Sequence, residues 1–186
     1  MPTPHPLSPP SPWVERFAPL VRAGGPVLDL ACGGGRHLRL FHRRGHPVVG
    51  LDRDLGGVAD LEGGANVTLI QADLENGDSG SHTPSLPTAG RFAGIVVTNY
   101  LHRPLFPAIL AALEPGGVLI YETFADGNAR FGRPSSPDFL LRRGELLEAV
   151  RGTLQVVAFE QGEISMPRPA VVQRICAVAG DDPLPL

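Results

Sequence analysis

The stretch Val27-Leu28-Asp29-Leu30-Ala31-Cys32-Gly33-Gly34-Gly35 decides the fold. Pro26 to Ala31 is a compact apolar run with one acid, bounded by Gly24-Gly25 before it and three glycines after it. That pattern marks a buried strand between turns. Glycine lets the chain turn tightly and lets a ligand lie against the backbone with no Cβ in the way. Arg36 to Arg44 follows as a short helix with Leu38 and Phe41 on one face. The N-terminus of such a helix favours anions.

Outward from this unit the same alternation repeats. Trp13 to Ala23 has helical spacing around Pro19 and reads as a short, kinked helix. Pro47 to Leu51 is a second strand ending at Asp52, after which Asp54 can cap a short helix to Leu61. Val67 to Ala72 is a third strand ending at Asp73, and Glu75 to Gly90, rich in Gly, Ser, Pro and Asp, is a loop. Arg91 to Asn99 is a fourth strand, Pro104 to Leu113 a helix, and Gly117 to Thr123 a fifth strand. Phe124 to Asp138 is an irregular insert, Arg142 to Arg151 a helix, and Leu154 to Glu160 and Ala170 to Ala179 two closing strands with no helix between them. Strands alternating with helices imply a doubly wound α/β sheet, and the helix-free last pair must be antiparallel.

The length of 186 residues suits one domain. Residues 1–12 hold six prolines and read as a flexible lead-in, 13–180 as the domain, and 181–186 as a tail. No run of eighteen apolar residues suggests a membrane span. The lead-in lacks the charge and apolar core of a secretory signal, and Cys32 and Cys176 are the only cysteines, so a reduced, cytoplasmic chain is expected. No metal-ligand spacing occurs. The net charge of −3 argues against a whole-protein grip on nucleic acid. There is no lysine, hence neither a Schiff-base nucleophile nor a Walker-type phosphate ligand.

Asp29, Asp52 and Asp73 stand at the carboxyl ends of three successive strands, where open α/β sheets bind ligands. Asp52 lies ~20 residues past the glycines, the spacing of an acid that accepts from ribose hydroxyls. Asp73 can accept from an adenine amine, and the backbone at Leu74 can donate to a ring nitrogen. A nicotinamide dinucleotide is the competing ligand. Its fingerprint wants GxGxxG, and Leu38 stands where the third glycine would be.

Five motifs in order carry a family resemblance: VLDLACGGGRHL, GLDRD, QADLE, IVVTNYLHRPLF and LEPGGVLIYETF. They resemble the class I S-adenosylmethionine-dependent methyltransferases, and RRGELLEAVRG is similar to the small group that includes the tellurite-resistance proteins. The resemblance implies a Rossmann-like seven-stranded sheet of order 3-2-1-4-5-7-6 with the last strand antiparallel. It implies S-adenosyl-L-methionine as cofactor and a methyl transfer to a small-molecule acceptor. Asp29, Gly33 and Gly35 would line the methionine part, with backbone from Ala31 and Cys32. Asp52 would hold the ribose with Arg53 beside the adenine, Asp73 and Leu74 would read the adenine edge, and Asn99 and Tyr100 would close over the methyl-bearing sulfur. Asn99-Tyr100-Leu101-His102 is not the signature of amino-methylating nucleic-acid enzymes.

His102, just past the fourth strand, is the candidate base, with Tyr100 beside it. Tyr121 and Glu122 point to opposite sheet faces, so one of them can reach the site. Arg130 and Arg133 in the insert could pair with an anionic substrate, and the insert reads as a lid that orders on binding. His37 and His42 read as solvated, and Trp13 and Phe17 as packing either over the cofactor or into the core. An RNA or protein methyltransferase would instead need a continuous basic surface from Arg103, Arg130, Arg133, Arg142 and Arg143. A non-catalytic cofactor-binding module would keep the three acids without room for an acceptor.

Overall fold

The computed structural model describes residues 8–75 and 85–180. The remaining residues, including 1–7 of the lead-in, 76–84 of the expected loop and the 181–186 tail, lie outside the described residues.

Seven strands form one sheet. They are β1 (Val27–Leu30), β2 (Val48–Asp52), β3 (Val67–Gln71), β4 (Phe92–Thr98), β5 (Leu113–Phe124), β6 (Leu154–Ile164) and β7 (Ala170–Ala179). The order is β3-β2-β1-β4-β5-β7-β6. The first five strands pair in parallel, and β7 runs antiparallel to both neighbours. The expected topology is therefore the observed one.

Alternation along the strands sorts the core into two layers. Leu28, Leu30, Ile95, Val97, Leu119 and Tyr121 face one cluster. It is covered by α3 (Phe106–Ala111) and α4 (Glu145–Val150). Val27, Val96, Val118, Ile120 and Cys176 face the other, covered by α1 (Pro12–Phe17) and α2 (Arg36–Arg43). Burying a Leu or Phe of this kind contributes about 1.5–3 kcal/mol, so Phe41, which is fully buried on α2, fixes that helix to the sheet.

Several boundaries differ from expectation for local reasons. The first helix stops at Phe17, and a 3-10 turn at Ala18–Leu20 takes up Pro19, which lacks an N–H to continue the ladder. Asp54 does accept from the Gly56 amide at 2.8 Å, but Gly56–Leu61 is a 3-10 turn. The third α-helix is preceded by a 3-10 turn at Arg103–Leu105. The fourth starts only after Gly144, whose φ of 69° is left-handed. β5 begins at Leu113, so the Glu114-Pro115-Gly116-Gly117 turn is an irregularity inside the strand, with the register slipping between Phe92 and Gly94.

The expected insert contains two 3-10 turns, Asn128–Phe131 and Pro137–Phe139. It is held at both ends: Ala125 N donates to Val171 O (2.9 Å) and Leu141 N to Phe124 O (3.0 Å). The buried Asn128 donates to Pro134 O and accepts from Val171 N, at 3.0 and 3.1 Å.

Candidate active site

A cavity of about 760 Å³ opens at the carboxyl ends of β1 to β5, within the size range of small-molecule sites. One side comes from the glycine turn. Ala31, Gly33 and Gly35 have φ of 56°, 52° and 73°, so the chain makes a left-handed turn directly after β1. For Ala31 that conformation costs free energy, of the kind stored at functional sites. Gly33 and Gly34 line the cavity with bare backbone. The turn after β2 packs onto them so closely that a Cβ on Gly57 would lie 2.9 Å from Gly34 Cα and 3.0 Å from Gly33 O.

Asp52 is fixed against this turn. Its Oδ2 accepts from Gly33 N at 2.8 Å and its Oδ1 from Asp54 N at 3.1 Å. Asp73, past β3, accepts from Glu75 N at 2.9 Å. Arg53, Leu74 and Cys32 also line this side. Burial, then the nearby Asp29 and Asp52, push the Cys32 thiol up to about 12, so it is a neutral thiol.

The opposite side comes from β4, β5 and the insert. Asn99 takes φ 56° at the end of β4, matching Ala31 on the adjacent strand, and its amide donates to Glu122 O at 2.9 Å. The Tyr100 hydroxyl is buried and has no hydrogen-bond partner among the described residues. Burial, followed by the charges of Glu75, Asp73 and Asp52, raises its pKa. It is therefore a protonated donor, not a base, at neutral pH.

Of the residues singled out from sequence, the structure brings together Ala31, Cys32, Gly33, Asp52, Arg53, Asp73, Leu74, Asn99 and Tyr100. It places Asp29, Gly35, His102, Tyr121, Arg130 and Arg133 off the cavity lining. Asp29 faces the α2 layer and is 1 % exposed, its Oδ2 accepting from Leu38 N at 2.8 Å. Burial raises its pKa to about 7, against the lowering effect of that hydrogen bond and of Arg36. Gly35 serves as the left-handed cap of α2, where a Cβ would meet Val58 at 2.4 Å. Tyr121 is buried in the other layer, donating to Tyr100 O at 2.8 Å. Its partner in the either-or reading, Glu122, turns to Ser11 and Arg174, so neither reaches the cavity. Arg130 pairs with Glu163.

Two other readings are corrected. His37 is not solvated: it is 2 % exposed. Its Nε2 accepts from Ser11 N at 3.0 Å, which leaves the proton on Nδ1, 3.4 Å from Thr98 Oγ1. Burial, then Arg36, lower its pKa to about 3. It ties Ser11, the residue before α1, to α2. His42 is half-buried, 3.1 Å from Ala65 O. Trp13 and Phe17 take the core alternative, with Trp13 Nε1 donating to Ile175 O at 3.3 Å.

Ser8, Arg36, Thr98, Thr123, Phe124 and Phe139 line the cavity without having been singled out for the site, except as part of the insert. Arg36 was visible as the residue directly after the glycines. Ser8 was not, because tertiary contacts bring that segment back: Ser11 with His37 and Glu122, and the Pro9 carbonyl with Arg36.

Residues 8–164 match the family model described as a methyltransferase domain. The chain belongs to the methyltransferase domain family. No curated protein sequence matches it. Among solved structures, this chain is similar to TehB from Haemophilus influenzae, with a TM-score of 0.69 and 16% identity over 90% of the chain. It spans 61% of TehB's length. It is also similar to the 1,6-didemethyltoxoflavin-N1-methyltransferase of Burkholderia thailandensis (TM-score 0.63, 21% identity, 91% of this chain and 76% of that one), solved with bound 1,6-didemethyltoxoflavin and S-adenosylhomocysteine. The cyclase SpnF shares the fold too (TM-score 0.67, 16% identity, 91% and 79%). Fold alone therefore does not fix the reaction. No described helix is long and apolar enough to cross a membrane.

Proposed function

We propose that this chain transfers a methyl group from S-adenosylmethionine to a small-molecule acceptor held in the strand-end cavity. The observation that carries the reading is Asp52, held by the Gly33 and Asp54 amides at the edge of a bare-backbone turn and facing a cavity of about 760 Å³. The fit to the cofactor rests on three features: a left-handed glycine turn that lines the cavity with bare backbone, a carboxylate oriented by two amides, and a buried hydroxyl awaiting a partner.

When bound, S-adenosylmethionine supplies a methyl group already activated by its sulfonium. The chain's own residues bind and orient. Asp52 accepts from the ribose hydroxyls, and Asp73 and the Leu74 amide read the adenine edge beside Arg53. The backbone of Ala31, Cys32, Gly33 and Gly34 lies along the methionine part. Arg36, half-buried at the start of α2, offers its carboxylate a cation. Asn99 stands at the sulfur end. Asp29 and Gly35 act from behind, holding the first turn of α2 in place. Alignment of acceptor, methyl and sulfur then supplies most of the acceleration.

A small acceptor is favoured over RNA or protein by the state of the arginines. Arg103 and Arg142 are engaged by Glu145 and Arg130 by Glu163, so they do not make a continuous free basic surface. A cavity wall beyond the cofactor turn, from Thr98 to Phe139, supports catalysis over simple cofactor binding. Free Cys32 and Cys176 support a reducing, cytoplasmic setting.

Calorimetry with S-adenosylhomocysteine and NAD(H), followed by label transfer from S-adenosylmethionine to metabolite, RNA and protein fractions, tests the reading. S-adenosylhomocysteine should bind, NAD(H) should not, and label should enter the metabolite fraction. Binding of NAD(H) alone would replace it with the dinucleotide alternative.

A further inference from the structure

The cavity is divided by charge. Its charged side chains, Arg36, Asp52, Arg53, Asp73 and Glu75, all come from the β1 to β3 half. The wall made by β4, β5 and the insert carries none among the described residues. Leu101, Phe124, Pro134 and Phe139 give it an apolar surface, and Thr98, Asn99, Tyr100 and Thr123 give it polar groups without charge. Two nearby cations are held elsewhere, Arg103 donating to Glu145 at 2.6 Å and Arg130 pairing with Glu163, and the exposed Arg133 does not line the cavity. Arg168 stands 5.6 Å from the Phe124 ring centre without lining the cavity. Phe139 is 48% exposed yet lines the opening, so an apolar ring is left at the mouth.

We infer that the acceptor is an uncharged, ring-bearing small molecule that attacks through a lone pair it already carries, on a ring nitrogen or sulfur. The inference rests on the methyltransferase reading above and narrows its acceptor. An ionic acceptor would lose its hydration against this wall with no opposite charge to replace it. An alcohol or ammonium acceptor would need a base, and no carboxylate or imidazole among the described residues lines this half. A ring nitrogen needs neither. Its lone pair forms the bond to the methyl carbon while the carbon–sulfur bond breaks and that electron pair stays on sulfur. The acceptor gains the positive charge that sulfur loses, and no proton moves. Tyr100 and Phe139 line this wall, and an aromatic face attracts a cation developing beside it.

The test uses the full chain with labelled S-adenosylmethionine and paired probes: quinoline and pyridine against quinoline-4-carboxylate and isonicotinate. S-adenosylhomocysteine binding is measured in parallel by calorimetry. The neutral members should be methylated with kcat/KM about tenfold or more above their carboxylates. Phe139→Ala should raise KM for quinoline about tenfold while leaving S-adenosylhomocysteine affinity within about twofold. Equal or better turnover of the carboxylates, or no turnover of either neutral probe while S-adenosylhomocysteine binds, overturns the inference and leaves the cofactor reading standing. Failure of S-adenosylhomocysteine to bind overturns both.

Discussion

The two halves of the cavity are assembled by different kinds of contact. In the β1 to β3 half, the acids are placed by backbone amides of the turns that follow the strands. Asp52 is held by amides 2 and 19 residues away, and Asp73 by one 2 residues away. In the β4, β5 and insert half, distant partners do the placing. Arg103 reaches Glu145 across 42 residues, Asn128 reaches Val171 across 43, and Tyr121 reaches Tyr100 across 21. The first half is thus set by backbone amides of its own turns, whereas the second depends on how this chain closes on itself. Changes in one half should leave the binding performed by the other largely intact.

The largest expected effect tests how the cofactor half tolerates its buried acid. Asp29 has a folded pKa of about 7 against an ordinary 3.8. Between those values the folded state keeps a proton the unfolded state has lost, so this group's contribution falls as pH rises. His37 has a folded pKa of about 3 against 6.5. There the unfolded state binds the extra proton, so its contribution rises with pH. The two slopes oppose each other from about pH 4 to 6.5. In Asp29→Asn the opposing slope is lost; above the range where Glu145 and Asp60 titrate the His37 slope remains, so urea-unfolding stability should climb by up to ~1.4 kcal/mol per pH unit from about pH 5 to 6.5. A wild-type-like, flat profile would contradict both assignments.

Next in size is the clamp of the other half. Arg103 donates to both oxygens of the nearly buried Glu145 and to the carbonyls of Asp138 and Leu140. Burial works against ionisation of Glu145, but the hydrogen bonds from Arg103 and Arg142 outweigh it and keep the pKa lowered. Arg103→Ala should cost about 2–3 kcal/mol, since the partly exposed arginine limits the loss. S-adenosylhomocysteine affinity should stay within about twofold while the acceptor KM rises. A parallel loss of cofactor affinity would show that the halves are coupled.

Gly57→Ala probes the reverse case. Its new Cβ meets backbone of Gly34 and Gly33, which must shift, at a cost of about 1–2 kcal/mol. Weakened S-adenosylhomocysteine binding with unchanged acceptor KM is expected, and an unchanged calorimetric affinity would show that the turn has slack. The smallest effect belongs to Arg130 and Arg133. Alanine at both should alter stability by no more than about 0.5 kcal/mol and leave KM unchanged. A raised KM would restore them as substrate ligands.

The same contrast explains what the sequence disclosed. Strand-end acids and the glycine turn were legible because spacing along the chain places them. The sheet order was legible because alternating elements and a helix-free last link leave few alternatives. Asp29 was legible as a strand-end acid but not in its direction, which follows from strand parity with Leu28 and Leu30 facing the opposite layer. His37 could not be read as buried, since the segment that covers it is fixed by tertiary contacts, Ser11 with His37 and Glu122 and Pro9 with Arg36. The arginines of the insert drew attention as charge, while the partner of Arg130, Glu163, lies on a distant strand.

The central claim, that the glycine turn and Asp52 form an S-adenosylmethionine site, is tested most directly by titrating S-adenosylhomocysteine into the wild-type chain and into Asp52→Ala. Hydrogen bonds to a charged acceptor contribute ~1.5–3 kcal/mol each. The wild type should bind, and the folded variant should bind about tenfold or more weakly. Equal affinity in the two proteins, or no binding to the wild type, would contradict it.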